Sequence, residues 1–189
     1  MNYSMTVLPG GDAVPADREF RTAMAAFATG VTVVTTTSAD DERHGMTVNA
    51  FASVSLDPML LLVCLRAGSR GLDLIRGSGV FTVNVLSEDQ QDLSRWFADR
   101  RRPADSSVFD GLPVALGATG CPVLLGAAAS FDCRLHGLLG AGDHVVVTGS
   151  VVALTHRRDA RPLLFHAGGY GRLAGEPAPA HPHLRVVPD

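Results

Sequence analysis

The order of apolar segments predicts a mainly β protein, an antiparallel barrel that is closed or nearly closed, with peripheral helices. Strand-length runs dominate the chain: Val31 to Thr37, Thr47 to Ser55, Met59 to Leu65, Val80 to Leu86, Ala127 to His136, Asp143 to Leu154 and Leu163 to His166. Helical patterns fall between them at separate places, without the regular βαβ alternation that builds a parallel sheet. Closure then removes the exposed edges that so many antiparallel strands would present. A chain of 189 residues suits one domain with a sizeable core. That domain is placed at residues 17–173, after an N-terminal arm (1–16) and before a proline-rich C-terminal tail (174–189), free or laid over a partner subunit.

Each element has a local cause. Asp17 caps a helix running to Thr29, and Phe20, Met24 and Phe27 at i, i+4 and i+7 give it one apolar face, read as core packing. Gly30 stands where a left-handed residue ends a helix. Val31 to Thr37 is β-branched throughout and therefore a strand; the polar residues 38–44 turn the chain. Thr47 to Ser55 is a strand ending in a bend, punctuated by Asp57-Pro58 because proline cannot donate to a ladder. The continuous apolar run Met59 to Leu65 suits a strand buried on both faces. Ser69 caps a short helix through Arg76 with Leu72 and Ile75 inward. A second helix spans Ser87 to Ala98, where Ser87 and Gln90 form a capping-box pattern and Leu93 and Phe97 share a face. In Ala127 to His136, Ala129, Phe131, Cys133 and Leu135 alternate with Ser130, Asp132, Arg134 and His136, which reads as a half-buried strand. Gly149, inside the long strand 143–154, marks a bulge or bend.

Composition narrows the function classes. Hydrophobic residues make up 46% and charged residues 19%, a globular balance far from that of disorder. A net charge of -3, with no basic patch interleaved with aromatics, gives no reason to expect nucleic acid. No apolar run is long enough to span a bilayer and no secretory signal is expected at the N-terminus. The cysteines Cys64, Cys121 and Cys133 are odd in number and form no C-x-x-C pair, which fits a reducing cytoplasm and buried thiols. His181 and His183 alone make a poor metal site, and no metal is expected. Rossmann, Walker, G-x-S-x-G and H-E-x-x-H patterns are absent.

The candidate site is the stretch Gly45 to Pro58. Its middle is small and hydroxylic: Thr47, Asn49, Ala50, Ser53 and Ser55. Such side chains let a flat ligand approach the main chain and bond its N–H groups, and the polar edge of an isoalloxazine suits such donors. The alternative is a hairpin whose small residues pack under a neighbouring strand.

Gly45-Met46-Thr47-Val48-Asn49-Ala50-Phe51-Ala52-Ser53-Val54-Ser55-Leu56-Asp57-Pro58 resembles the flavin-binding segment of the flavin reductase-like family with the FMN-binding split-barrel fold. Residues 30–36, 81–86, 91–98, 141–144 and 162–170 resemble further segments of that family, in order and spacing. The resemblance is closest to the small reductase components of two-component flavin-dependent monooxygenases. It implies a homodimer that transfers a hydride from NADH to FAD or FMN and releases reduced flavin to a partner monooxygenase. It places the flavin against Thr47, Val48, Asn49, Ala50, Phe51, Ala52 and Ser53, with Ser55 and Leu56 continuing toward the ribityl chain and phosphate. Ser69, Arg70 and Gly71 match the phosphate segment, where a helix start attracts an anion, and Arg102 offers a second phosphate or adenylate contact. His144, the catalytic candidate, lies near the nicotinamide in relatives; His166, Gly169 and Tyr170 belong to the segment approaching the pyridine nucleotide. Many relatives carry threonine at the position of Gly71. That gap and the arginine-bearing loop leave room for an adenylate, which favours FAD. A non-catalytic flavin-binding or sensing protein of the same fold is the alternative; a related pyridoxal-binding barrel is weaker, for want of an Arg/Lys cluster near the Thr47 to Ser55 loop.

Overall fold

The computed structural model describes residues 17–175. The predicted arm and nearly all of the predicted tail, with His181 and His183, lie outside the described residues. Helix α1 (Asp17–Met24) leads into β1 (Thr29–Gly30), β2 (Thr32–Thr37), β3 (Arg43–Val48), β4 (Phe51–Leu56) and β5 (Met59–Arg66). Then follow α2 (Arg70–Ser78), β6 (Val80–Val85), a 3-10 turn (Glu88–Gln90), α3 (Gln91–Ala98) and a second 3-10 turn (Ser106–Phe109). The chain continues with the short strands β7 (Val114–Leu116) and β8 (Pro122–Leu124), the long strands β9 (Ala129–Ala141) and β10 (His144–His156), and β11 (Leu164–His166) and β12 (Gly169–Gly171).

Seven strands form one antiparallel sheet in the order β3-β2-β6-β9-β10-β5-β4. Its two edges, β3 and β4, are consecutive in the chain and joined by Asn49-Ala50. No ladder joins them, so the sheet is not closed by hydrogen bonds.

Strand β2 is the centre of the molecule, and all six of its residues are buried. Val34 belongs to a core with Val63, Leu65, Phe81, Val83 and Val147, plugged by Leu72 and Ile75 of α2 as the sequence predicts. Val33 belongs to a second core with Leu86, Phe97, Phe109, Leu124 and Leu163. Burial on both faces obliges the threonines to bond their hydroxyls. Thr35 donates to the Pro122 carbonyl at 2.5 Å and Thr36 to that of Val80 at 2.7 Å. The amide of Asn84 is satisfied on every side. It donates to the Val33 carbonyl (3.1 Å) and Thr35 Oγ1 (3.3 Å), and accepts from the Leu124 N–H (2.9 Å) and Ser130 Oγ (2.9 Å).

Several expectations are corrected. Helix α1 stops at Met24, and Gly30 is a strand residue rather than a helix cap, because Thr29 and Gly30 pair with Phe165 and Leu164. The predicted strand 47–55 is broken at Asn49-Ala50 into β3 and β4. Strand β5 alternates instead of burying both faces: Leu61, Val63 and Leu65 are buried, while Met59 is exposed. The polar face of β9 is not solvated where expected, since Ser130 and Asp132 are buried. Thr82 Oγ1 donates to Asp132 Oδ1 at 2.8 Å, and the Thr119 N–H to Oδ2 at 2.7 Å, so the carboxylate pins the β7–β8 turn. Helix 87–98 begins as a 3-10 turn, with Gln90 Oε1 accepting the Ser87 N–H at 3.1 Å in the capping-box manner.

Gly149 sits at a register shift in the β9–β10 ladder, as its position inside a strand predicts. A Cβ there would lie 2.4 Å from Cζ of the fully buried Phe81 and 3.0 Å from Cβ of Cys133. The rigid ring cannot fold away. Gly149→Ala is expected to destabilise the protein by roughly 1–3 kcal/mol through overpacking. Chemical denaturation measures the loss, and Phe81→Leu in the same chain should recover part of it.

Candidate functional site

The break between β3 and β4 opens onto a cleft of about 940 Å³, within the roughly 300–1,000 Å³ typical of small-molecule sites. Asn49, Ala50, Phe51 and Ala52 line one side, and His166 and Gly168 another. The two groups therefore meet although they lie more than a hundred residues apart. Phe27 and Met24 also line the cleft. Phe27 is 71% exposed and Phe20 is exposed as well, so the apolar stripe of α1 is not core packing. The α1–β1 segment is held against the β11–β12 turn by the Ala167 N–H, which donates to the Ala25 carbonyl at 3.1 Å. Nothing in the sequence separates such a stripe from a core-facing one, because both show the same period.

Of the two edges of the large sheet, β4 borders the cleft through Phe51 and Ala52, and no residue of β3 lines it. An edge strand keeps a row of backbone N–H and C=O groups outside the ladder. On β3 the row is partly taken: the Arg43 N–H donates to Ser106 Oγ at 2.9 Å, and Arg102 Nη2 donates to the Gly45 carbonyl at 2.6 Å. The β4 edge has no strand beyond it.

The predicted phosphate residues gather beside β3. Ser69 is the N-cap of α2, and its Oγ is buried without a hydrogen-bond partner. Arg70 opens the helix, and its Nε and Nη2 both donate to Glu42 Oε1, the former at 2.9 Å. The room expected above Gly71 is filled: a Cβ at that position would lie 1.9 Å from Met46 Cε and 3.1 Å from His44 Cδ2. Arg102 has two guanidinium nitrogens committed to the main chain, at Asp99 (2.8 Å) and Gly45 (2.6 Å), while its Nε is buried and unpartnered. His44 completes the group. Burial, and then the positive charges of Arg102 and Arg70, hold its pKa down to about 4, so the imidazole is neutral at pH 7. Sequence reading passed over His44 and Met46. Their alternation with Val48 along β3 was the available signal.

The other candidates are dispersed. Thr47 Oγ1 donates to the Ser94 carbonyl of α3 at 2.7 Å. Val48 packs on the first core. Ser53 is exposed at a bulge in the β4–β5 ladder. Ser55 Oγ accepts the Asp57 N–H at 3.2 Å, and Leu56 is exposed at the turn. Tyr170 hydrogen-bonds Ser94 Oγ through its hydroxyl (2.8 Å), meets Phe165 edge-on and lies beneath Arg95. Gly169 pairs with His166 across the β11–β12 turn. His144 starts β10 opposite Arg66, with Nδ1 2.8 Å from Asp143 Oδ1, and does not line the cleft.

An apolar-walled cleft on the free β4 edge, together with a helix start beside β3 that bears an orphaned hydroxyl and an arginine but does not line the cleft, offers the groups that a flat ring with a phosphorylated tail would use. The residues present therefore fit a flavin. The chain is similar to proteins named as flavin reductases. The chain is 45% identical to a probable flavin reductase of Rhizobium meliloti over 84% of its own length, and spans half the length of that relative. It is 39% identical to HsaB of Rhodococcus jostii, the reductase subunit of a flavin-dependent monooxygenase, over 88% of this chain and 85% of that one. The crystal structure of BorF, flavin reductase component of a bacterial two-component tryptophan halogenase, superposes with a TM-score of 0.80 at 39% identity, covering 85% of this chain and 100% of BorF. The NADH:FAD oxidoreductase SgcE6 of Streptomyces globisporus, in complex with NAD and FAD fragments, gives 0.78 at 35% identity, covering 87% and 98%. Residues 24–174 match the flavin reductase like domain, and the chain belongs to that family.

Proposed function

We propose that this chain is an NADH-dependent flavin reductase that passes a hydride from NADH to FAD or FMN and supplies the reduced flavin to a partner monooxygenase. The observation that carries this reading is the cleft joining Asn49–Ala52 to His166 and Gly168 at the open seam of the sheet. The relatives' names agree, covering reductase subunits of monooxygenases and an NADH:FAD oxidoreductase. Bound there, the flavin supplies the electron sink. The chain's part is positional. Asn49 to Ala52 would hold the ring against the β4 edge, and Ser69 with Arg70 would hold the phosphate. The His166–Gly168 side would admit the nicotinamide to within roughly 3–3.5 Å, the separation that positioning catalysis needs. No carboxylate dyad is required, and none lines the cleft.

The reading extends to the assembly. Val54, Leu56 and Met59 leave the β4 edge apolar and exposed, and Leu139 and Leu154 are exposed on the β9–β10 pair. Apolar surface of this kind marks an interaction face, and it supports a homodimer whose sheet curls into a split barrel. His144 keeps its assignment to the nicotinamide only in such a dimer, since within one chain it does not line the cleft. The free cysteines Cys64, Cys121 and Cys133 suit a reducing cytoplasm. Among the described residues no helix is long and apolar enough to cross a membrane.

Stopped-flow mixing of the protein, FAD or FMN, and NADH without oxygen should bleach the oxidised-flavin absorbance. Absence of bleaching with both flavins defeats the reductase reading. Flavin retained through gel filtration with no NADH consumed would instead define a flavin-binding protein.

A further inference from the structure

We propose that Glu42 sets how weakly this chain holds a phosphorylated flavin, by competing with the phosphate for the Arg70 guanidinium. The inference rests on the reading of Ser69, Arg70 and Gly71 as the phosphate segment and deepens it. Arg70 is the first residue of α2, where main-chain N–H groups and the helix dipole favour an anion. Its fork is already engaged, because Nε and Nη2 both donate to Glu42 Oε1. The other cation of the group has less freedom, since Arg102 is spent on the carbonyls of Asp99 and Gly45. Asp105 lies within electrostatic range of Arg70, but its carboxylate accepts from the N–H and hydroxyl of Ser107. Ser69 Oγ is left as a buried atom with no partner.

A phosphate arriving at Ser69 must therefore recruit Arg70 from Glu42. The exchange is feasible, because the side chains are 49% and 34% exposed and exposed ion pairs are weak. It also has a cost. The carboxylate loses its partner and remains beside the incoming anion, so Glu42 acts against phosphate binding through both the lost bond and the repulsion. A carrier that must hand its flavin to another protein gains a faster off-rate from such a competitor.

Fluorescence-quenching titrations with FMN and with riboflavin, which lacks the phosphate, test the proposal on wild-type protein, Glu42→Gln, Arg70→Gln and the double variant. Glu42→Gln should lower the FMN Kd by about two- to fivefold, the range of an exposed ion pair, and leave the riboflavin Kd unchanged. In the Arg70→Gln background, Glu42→Gln should tighten FMN by clearly less, since only the repulsion between carboxylate and phosphate is then relieved. An FMN Kd that is unchanged or raised in Glu42→Gln would show that Glu42 merely supports Arg70, and overturns the proposal. Equal tightening toward riboflavin, or tightening undiminished without Arg70, overturns it as well. Wild-type protein that oxidises NADH yet shows any of these results defeats this inference alone, whereas wild-type protein that oxidises none defeats the reading beneath it.

Discussion

Ala50→Trp is expected to lower flavin affinity by about two orders of magnitude, or roughly 2.7 kcal/mol, while leaving the fold intact. Ala50 stands in the break between the two edge strands, exposed, with its side chain on the cleft. Its carbonyl accepts the Cys64 N–H at 3.1 Å, a main-chain bond that substitution does not touch. The larger side chain adds volume only where a ring would lie, so it excludes the ligand without crowding either core. Surface changes of this kind alter stability by about 0.5 kcal/mol or less. The variant should show wild-type circular dichroism and melting, negligible quenching of added flavin and no NADH oxidation. If it binds FMN or FAD as the parent does, the cleft is not the flavin site.

Asn84→Ala is expected to cost roughly 3–5 kcal/mol, in the range reserved for breaking a buried polar network. The side chain is fully buried and its amide makes four hydrogen bonds that tie β2, β6, β8 and β9 together. Truncation leaves the Leu124 N–H without a partner in a space that water cannot readily enter, and takes the side-chain donor from the Val33 carbonyl and the acceptor from Ser130 Oγ. At about 2–4 °C per kcal/mol for a chain of this size, the melting temperature should fall by roughly 10 °C or more. Asn84→Asp should not rescue it, since a carboxylate cannot donate to the Val33 carbonyl. Urea denaturation checks the prediction, and a loss below about 1 kcal/mol would mean that the network contributes little.

What could be read from the sequence follows from how local its causes are. The bulge at Gly149, the inward Leu72 and Ile75 and the Gln90 cap depend on short-range chemistry, and each is present in the fold. Residues 127–136 alternate as written, yet both faces are buried at Ser130 and Asp132. The covering β7–β8 hairpin consists of three-residue strands interrupted by proline and glycine, too short to show a period. The division of 47–55 at Asn49-Ala50 was also hidden, because small residues continue without a break and only the curl of the sheet separates the edges. Of the residues lining the cleft, Asn49 and Ala50 were legible as candidates from their small, polar stretch, and Phe51 and Ala52 from the family resemblance. Met24 and Phe27 were not, since an apolar stripe reads alike whether it faces a core or a cleft. His44 and Met46 escaped because neither belongs to a site by type, and only the fold sets them against Gly71.

The seam between β3 and β4 ties occupancy to stability. A molecule bonded to main-chain groups on both sides of Asn49-Ala50 would act as a clasp, standing in for the ladder that the two strands lack. Because such a molecule binds the folded chain and not the unfolded one, resistance to unfolding rises with its concentration as RT ln(1 + [L]/Kd). A flavin bound at that seam would then also fasten the sheet.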